Sequence, residues 1–165
     1  MKTIVQLVIM AALSTAPAMT AGGGTSAFDD ISGHYEAIRQ ALMNDSTEDV
    51  ATHARAIRDA AAALRGEFSA ADAGVSADAS QKARDLLPEV EQRAGDLATA
   101  NGLSDVRTAF AELTKPLVQW HGMVEGQRPV VAYCPMVKRP WLQPNEAIGN
   151  PYAPSMLRCG EVVAR

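Results

Sequence analysis

Two cysteines and two methionines near the C-terminus have the most distinctive chemistry in the sequence. Cys134 is followed closely by Met136, and Met156 closely precedes Cys159. Thiolate and thioether groups are soft ligands that favour Cu(I) over hard cations. Together with His121 as a nitrogen ligand, these four side chains predict a soft-metal site. Zn²⁺ is an alternative, because it would take the two thiolates and His121.

The segments beside the cysteines predict that the two sulfur atoms meet. Short runs rich in β-branched residues, 130–133 and 162–164, are typical of strands. If these strands pair antiparallel, Cys134 faces Cys159 with Cα atoms about 4.5–5.5 Å apart, which suits a disulfide. Such a bond would close a loop of about 26 residues and contribute roughly 3 kcal/mol. It would also remove both thiolates from a metal site. The sequence therefore allows either a soft-metal site or a disulfide at these two cysteines.

The N-terminal residues predict an exported protein. Lys2 supplies a positive start, an apolar run follows at 4–13, and Ala16-Pro17-Ala18 fits a signal-peptide cleavage site. We expect cleavage after Ala18, a flexible lead-in over 19–27 and a single domain over 28–165. The apolar run is too short to span a bilayer, so no membrane insertion is expected after cleavage. The predicted location is the periplasm or outside the cell, where paired cysteines usually form disulfides.

The charge distribution argues against nucleic acid or anionic lipid as a partner. The formal net charge is -4 and becomes -5 once Lys2 leaves with the signal. Lysine and arginine are scattered along the chain, whereas both of these partners require a basic face.

Helical periodicity predicts a mainly α fold, an antiparallel four-helix bundle. Apolar residues recur three and four apart over about 28–42, 50–68, 83–97 and 106–120, which is typical of helices that pack on other helices. Pro88 is expected to kink or interrupt the third helix, and Pro116 to kink the fourth near its end. His34 and His53 flank the apolar stripes and are predicted to be surface histidines or histidines with satisfied hydrogen bonds. From about 123 to 165 the prolines exclude a long helix, and we expect a Cys/Met tail containing a two-stranded antiparallel ribbon.

The sequence gives little support for catalysis. It contains no glycine-rich phosphate loop, His-Glu-x-x-His helix or Gly-x-Ser-x-Gly turn. A thiol nucleophile would need Cys134 or Cys159 beside His121, but Pro135 offers no helix N-terminus to lower the thiol pKa. We therefore predict that the protein is not an enzyme.

The tail resembles an uncharacterised bacterial periplasmic domain family. The resemblance is carried by Tyr133-Cys134-Pro135-Met136, Trp141-Leu142, Asn150-Pro151-Tyr152, and Met156 with Cys159-Gly160. That domain occurs alone in small exported proteins and fused to periplasmic adaptor subunits of copper and silver efflux pumps. The resemblance implies a helical bundle with a motif-bearing tail and a role near heavy-metal efflux. This chain departs from the family after Tyr152, where Ala153-Pro154 stand in place of an aromatic residue and a glycine.

Two functions follow as expectations. The first is an exported protein that binds a soft metal ion, Cu(I), at Cys134, Met136, Met156, Cys159 and His121, and buffers it or hands it to an efflux system. The second is an interaction module, closed by a Cys134–Cys159 disulfide, that docks on an efflux adaptor or another periplasmic partner.

Overall fold

The computed structural model of the protein describes residues 25–165. The predicted signal peptide and residues 19–24 of the predicted lead-in lie outside this range. Four α-helices come first: α1 (Ala27–Met43), α2 (Val50–Gly66), α3 (Ser80–Thr99) and α4 (Gly102–His121). A three-stranded antiparallel sheet follows: β1 (Val130–Cys134), β2 (Arg139–Gln143) and β3 (Glu161–Ala164). The protein is therefore mainly helical with a small C-terminal sheet.

Helix α1 begins one residue earlier than the periodicity predicts because Ser26 caps it. The Ser26 hydroxyl accepts a hydrogen bond from the Asp29 amide at 3.2 Å, and the Asp29 carboxylate accepts one from the Ser26 amide at 3.1 Å. This reciprocal arrangement satisfies two amides at the helix start. The predicted apolar stripe of α1 is buried: Phe28, Ile31, Tyr35, Ile38 and Leu42.

The remaining helices also bury their predicted stripes, except that α2 ends at Gly66, so that Phe68, the last residue of its predicted stripe, lies beyond the helix and is half-buried. Helices that are neighbours along the chain pack side by side. Helix α1 additionally contacts α4. The prolines do not interrupt the helices: α3 continues through Pro88 and α4 through Pro116. In the described residues, no helix is both long enough and apolar enough to cross a membrane.

The sheet is one strand larger than the predicted ribbon. The predicted pair is present, because β1 pairs antiparallel with β3, but β2 pairs with the other side of β1. Strand β2 contains Pro140, one of the tail prolines that exclude a long helix. Proline is tolerated there because β2 lies at the edge of the sheet, where a missing amide proton interrupts no inner ladder.

Two arginines connect the tail to the helices. Arg39 on α1 is 4% exposed; its guanidinium donates to the Gly149 carbonyl and forms two bonds with the Glu36 carboxylate, at 2.6 and 2.8 Å. Arg107 on α4 donates to the Pro151 carbonyl at 3.0 Å. These contacts satisfy carbonyl groups of an irregular loop that would otherwise be buried without partners.

Replacing Arg39 with alanine is expected to lower the free energy of unfolding by about 2 kcal/mol, the range for hydrogen bonds to charged groups. The variant leaves the Gly149 carbonyl without its donor, while Glu36, whose side chain is 25% exposed, recovers part of the loss by binding water. Arg58→Ala is the matched control, because its ion pair with Asp59 is exposed and is expected to contribute little. Urea unfolding of both variants measures the effect; equal losses would contradict it.

Candidate functional site

Both cysteines of the chain form a disulfide, as one of the two interpretations predicts. Cys134 is fully buried at the end of β1, and Cys159 is half-buried just before β3. Their Cα atoms lie 5.6 Å apart across a sequence separation of 25. The antiparallel pairing of β1 with β3 brings them together, because the end of one strand lies beside the start of the other. In this state neither sulfur can act as a thiolate ligand or as a nucleophile.

The two candidate methionines flank the disulfide along the chain but differ in exposure. Met136 lies in the turn between β1 and β2 and is 71% exposed. The Lys138 amide donates to the Cys134 carbonyl at 2.8 Å and closes this turn. Met156 is half-buried in a short 3-10 turn, and its carbonyl accepts a hydrogen bond from the Cys159 amide at 2.8 Å. Within residues 25–165, no group of three or more His, Cys, Asp or Glu residues is placed to hold a metal ion.

His121 lies at the opposite end of β1 from the disulfide. It is buried at the end of α4, and its Nε2 donates to the Pro129 carbonyl at 2.7 Å. The six residues from Pro129 to Cys134 are five steps of extended chain and cover about 16 Å. The structure therefore does not bring His121 to the sulfur atoms, and it does not place the histidine that a Zn²⁺ site or a Cys–His pair would require.

Burial lowers the pKa of His121 below its ordinary value of 6.5; the bond to Pro129 opposes this effect, and the nearby Arg128 guanidinium adds to it. A histidine whose pKa is lower in the folded than in the unfolded chain stabilises the fold above pH 6.5, and this contribution is lost as the pH falls through the folded value. We expect the His121 ring to titrate below pH 6.5 in an NMR titration. A midpoint above that value would contradict the assignment.

Asn150 organises the loop that carries Cys159. Its side chain is fully buried; Oδ1 accepts from the Tyr152 amide at 2.9 Å and Nδ2 donates to the Cys159 carbonyl at 3.3 Å. Its own amide donates to the Leu157 carbonyl at 2.9 Å. Asn150-Pro151 is typical of the start of a turn, and the first of these bonds closes that turn. The contact with Cys159 was not predictable, because it joins residues from two separate turns.

A buried group of hydroxyls fixes β2 on the helices. The Tyr35 hydroxyl lies 2.7 Å from Thr114 Oγ1 and accepts from the Leu142 amide at 3.3 Å. The Tyr152 hydroxyl donates to the Pro140 carbonyl at 2.8 Å. Burial raises the pKa of both phenols above the ordinary value of 10.0. Both therefore stay protonated at neutral pH and serve as structural hydrogen-bonding groups.

A groove of about 540 Å³ lies between α1 and the sheet. Its sheet side is formed by residues 127–129, just before β1, and residues 142–144, at the end of β2. Asp29, Ser32 and Glu36 line one side, and Arg128 and Gln143 lie among the residues of the other. The Ser32 hydroxyl is buried and has no hydrogen-bond partner among the described residues. None of the five predicted metal-site residues lines this groove, so it is separate from the sulfur cluster.

The site belongs to a mainly helical protein whose C-terminal sheet is closed by one disulfide. No protein-family model matches the chain, and neither curated proteins nor solved structures show a significant similarity to it.

Proposed function

We propose that this protein is an exported, non-enzymatic interaction module whose tail, held by the Cys134–Cys159 disulfide, docks on a partner protein of the cell envelope. Its four helices form an antiparallel bundle that supports the tail. The family resemblance of the tail motifs suggests a heavy-metal efflux adaptor as the partner. The observation that carries the proposal is the disulfide. It anchors the end of the buried strand β1, from which the exposed turn between β1 and β2 begins.

Met136 is the proposed contact residue. Only two large apolar side chains are strongly exposed among the described residues, Met136 at 71% and Val163 at 53%. Met136 lies on a short turn whose two strands are paired and whose first strand ends in the disulfide. A flexible thioether on a fixed support suits a protein interface, because the side chain adapts to the partner at little cost in backbone order.

Met136→Ala is expected to weaken binding to a purified efflux adaptor domain by about tenfold, roughly 1.4 kcal/mol, a larger loss than most interface residues show. Calorimetry or surface plasmon resonance with the disulfide intact measures the affinity. Val163→Ala is the matched control, since it removes the other exposed apolar side chain, from β3. Equal affinity of wild type and Met136→Ala, or an equal loss in both variants, would show that the turn is not the contact.

The second candidate function is Cu(I) binding by the reduced protein. It is favoured by the positions of Met136 beside Cys134 and of Met156 in the same turn as Cys159. Reduction would release two thiolates flanked by two thioethers, a ligand set suited to Cu(I). His121 is not included, because it is bonded to Pro129 at the far end of β1.

Copper titration under reducing conditions tests this second function. The wild-type chain is compared with the Cys134→Ser Cys159→Ser variant. A Cu(I) site predicts one tightly bound ion in the wild type and a large loss of affinity in the variant. Equal affinity for the two proteins would rule the site out.

A further inference from the structure

A pair of histidines joins α1 to α2, far from the tail in sequence. His34 lies in the middle of α1, and His53 lies in the first turn of α2. Their Nδ1 atoms are 3.0 Å apart, with ring centroids at 5.3 Å and ring planes inclined by 42°. The sequence predicts surface histidines or histidines with satisfied hydrogen bonds. Both side chains are half-buried, and each finds its partner in the other through the same ring atom, a pairing that was not predicted.

We propose that His34 and His53 form a two-histidine site for a divalent transition-metal ion such as Zn²⁺, coordinated by the two Nδ1 atoms. Zinc–imidazole bonds are about 2.0–2.1 Å long. An ion bound to two nitrogens 3.0 Å apart would therefore have an N–Zn–N angle of about 94°. A tetrahedral angle needs a nitrogen separation of about 3.3 Å. Each ring must also turn so that its Nδ1 lone pair points at the ion and away from the other nitrogen. The separation of the two nitrogens is therefore already close to the chelating distance, and rotation of the two rings completes the site.

The donor set selects the class of metal. Imidazole nitrogens suit Zn²⁺, Ni²⁺ and Cu²⁺, whereas Ca²⁺ and Mg²⁺ require oxygen ligands. No third His, Cys, Asp or Glu joins the two histidines in a metal-binding group within residues 25–165. The protein thus supplies two ligands, and water or an external ligand completes the coordination. The partial exposure of both rings gives the ion an entry path.

Binding requires a tautomer change in one ring only. As neutral imidazoles at this distance, one Nδ1 carries the proton and donates it to the other. When the ion binds, the donor ring gives up its Nδ1 proton and takes one at Nε2, so both Nδ1 lone pairs face the metal. Two metal–nitrogen bonds replace one hydrogen bond, and the number of protons on the pair is unchanged.

The site is independent of the tail, because neither ligand contacts the cysteines or the sheet in the hydrogen-bond network. The test uses the full chain with its disulfide intact and Zn²⁺ as the probe. Long-range proton–nitrogen NMR spectra follow the three histidine rings during the titration. We expect the Nδ1 signals of His34 and His53 to shift together at one Zn²⁺ per chain, while His121, bonded to Pro129, serves as the internal control.

His34→Gln and His53→Gln are each expected to lower Zn²⁺ affinity by about tenfold or more. Zn²⁺ should also raise the melting temperature of the wild type and not of either variant, because it binds the folded chain. Absence of a shift at millimolar Zn²⁺ would show that the pair is only a hydrogen bond. A shift of one ring alone, or unchanged affinity in the variants, would equally overturn the proposal.

Discussion

Replacing Trp141 with alanine is expected to lower the free energy of unfolding by about 3–5 kcal/mol, the range for a fully buried aromatic side chain. The Trp141 indole is completely buried on β2, with its ring centroid 6.2 Å from that of Tyr152. Its Nε1 donates to the Gln143 side-chain oxygen at 2.7 Å. Truncation therefore leaves a cavity beside Tyr152, and it takes away the hydrogen bond that the indole donates to the buried Gln143 side chain. Urea unfolding, analysed for both midpoint and slope, measures the loss.

Trp141→Phe is the control for ring volume, and it should cost much less than the alanine variant because most of the packing is retained. A loss below about 1 kcal/mol for Trp141→Ala would mean that the tail contributes little to the fold. The indole also accounts for Gly160: a Cβ at this position would lie 2.6 Å from Trp141 Cη2, and its φ of +147° is unfavourable for other residues.

Removing the disulfide with Cys134→Ser Cys159→Ser is expected to destabilise the protein by roughly 3 kcal/mol, from the size of the loop that the bond closes. The melting temperature should fall by roughly 10 °C for a chain of this size. Thermal unfolding of the variant is compared with that of the wild type, with and without a reductant. The reductant should lower the wild-type melting temperature and leave the variant unchanged; a wild type that is insensitive to reduction would contradict the prediction.

The helical part of the fold was predictable because a helix that buries one face places apolar residues three and four positions apart, and this spacing is visible in the local sequence. In α1 the residues from Phe28 to Leu42 recur at helical spacing and are buried. The meeting of Cys134 with Cys159 was predictable for a similar reason, since β-branched runs lie beside both residues. The sequence could not choose between a disulfide and a metal site, because both need the same proximity.

Contacts between distant segments were not predictable. The stripe of α1 marks Tyr35 as buried, but not that its hydroxyl would accept the Leu142 amide. Arg39 is charged and gives no local signal that it would bind the Gly149 carbonyl, 110 residues further along the chain. Strand β2 was missed because Arg139–Gln143 contains no β-branched residue, the signal that marked the other two strands. The pairing of His34 with His53 likewise depends on how α1 and α2 pack.

Titration of free thiols tests most directly whether the tail works as a disulfide-closed docking surface. The protein is purified from an oxidising compartment without reductant or chelator and denatured, and its thiols and bound copper are counted. We predict no free thiol and no copper bound through sulfur. Two free thiols per chain together with bound copper would contradict the docking proposal and favour the Cu(I) site.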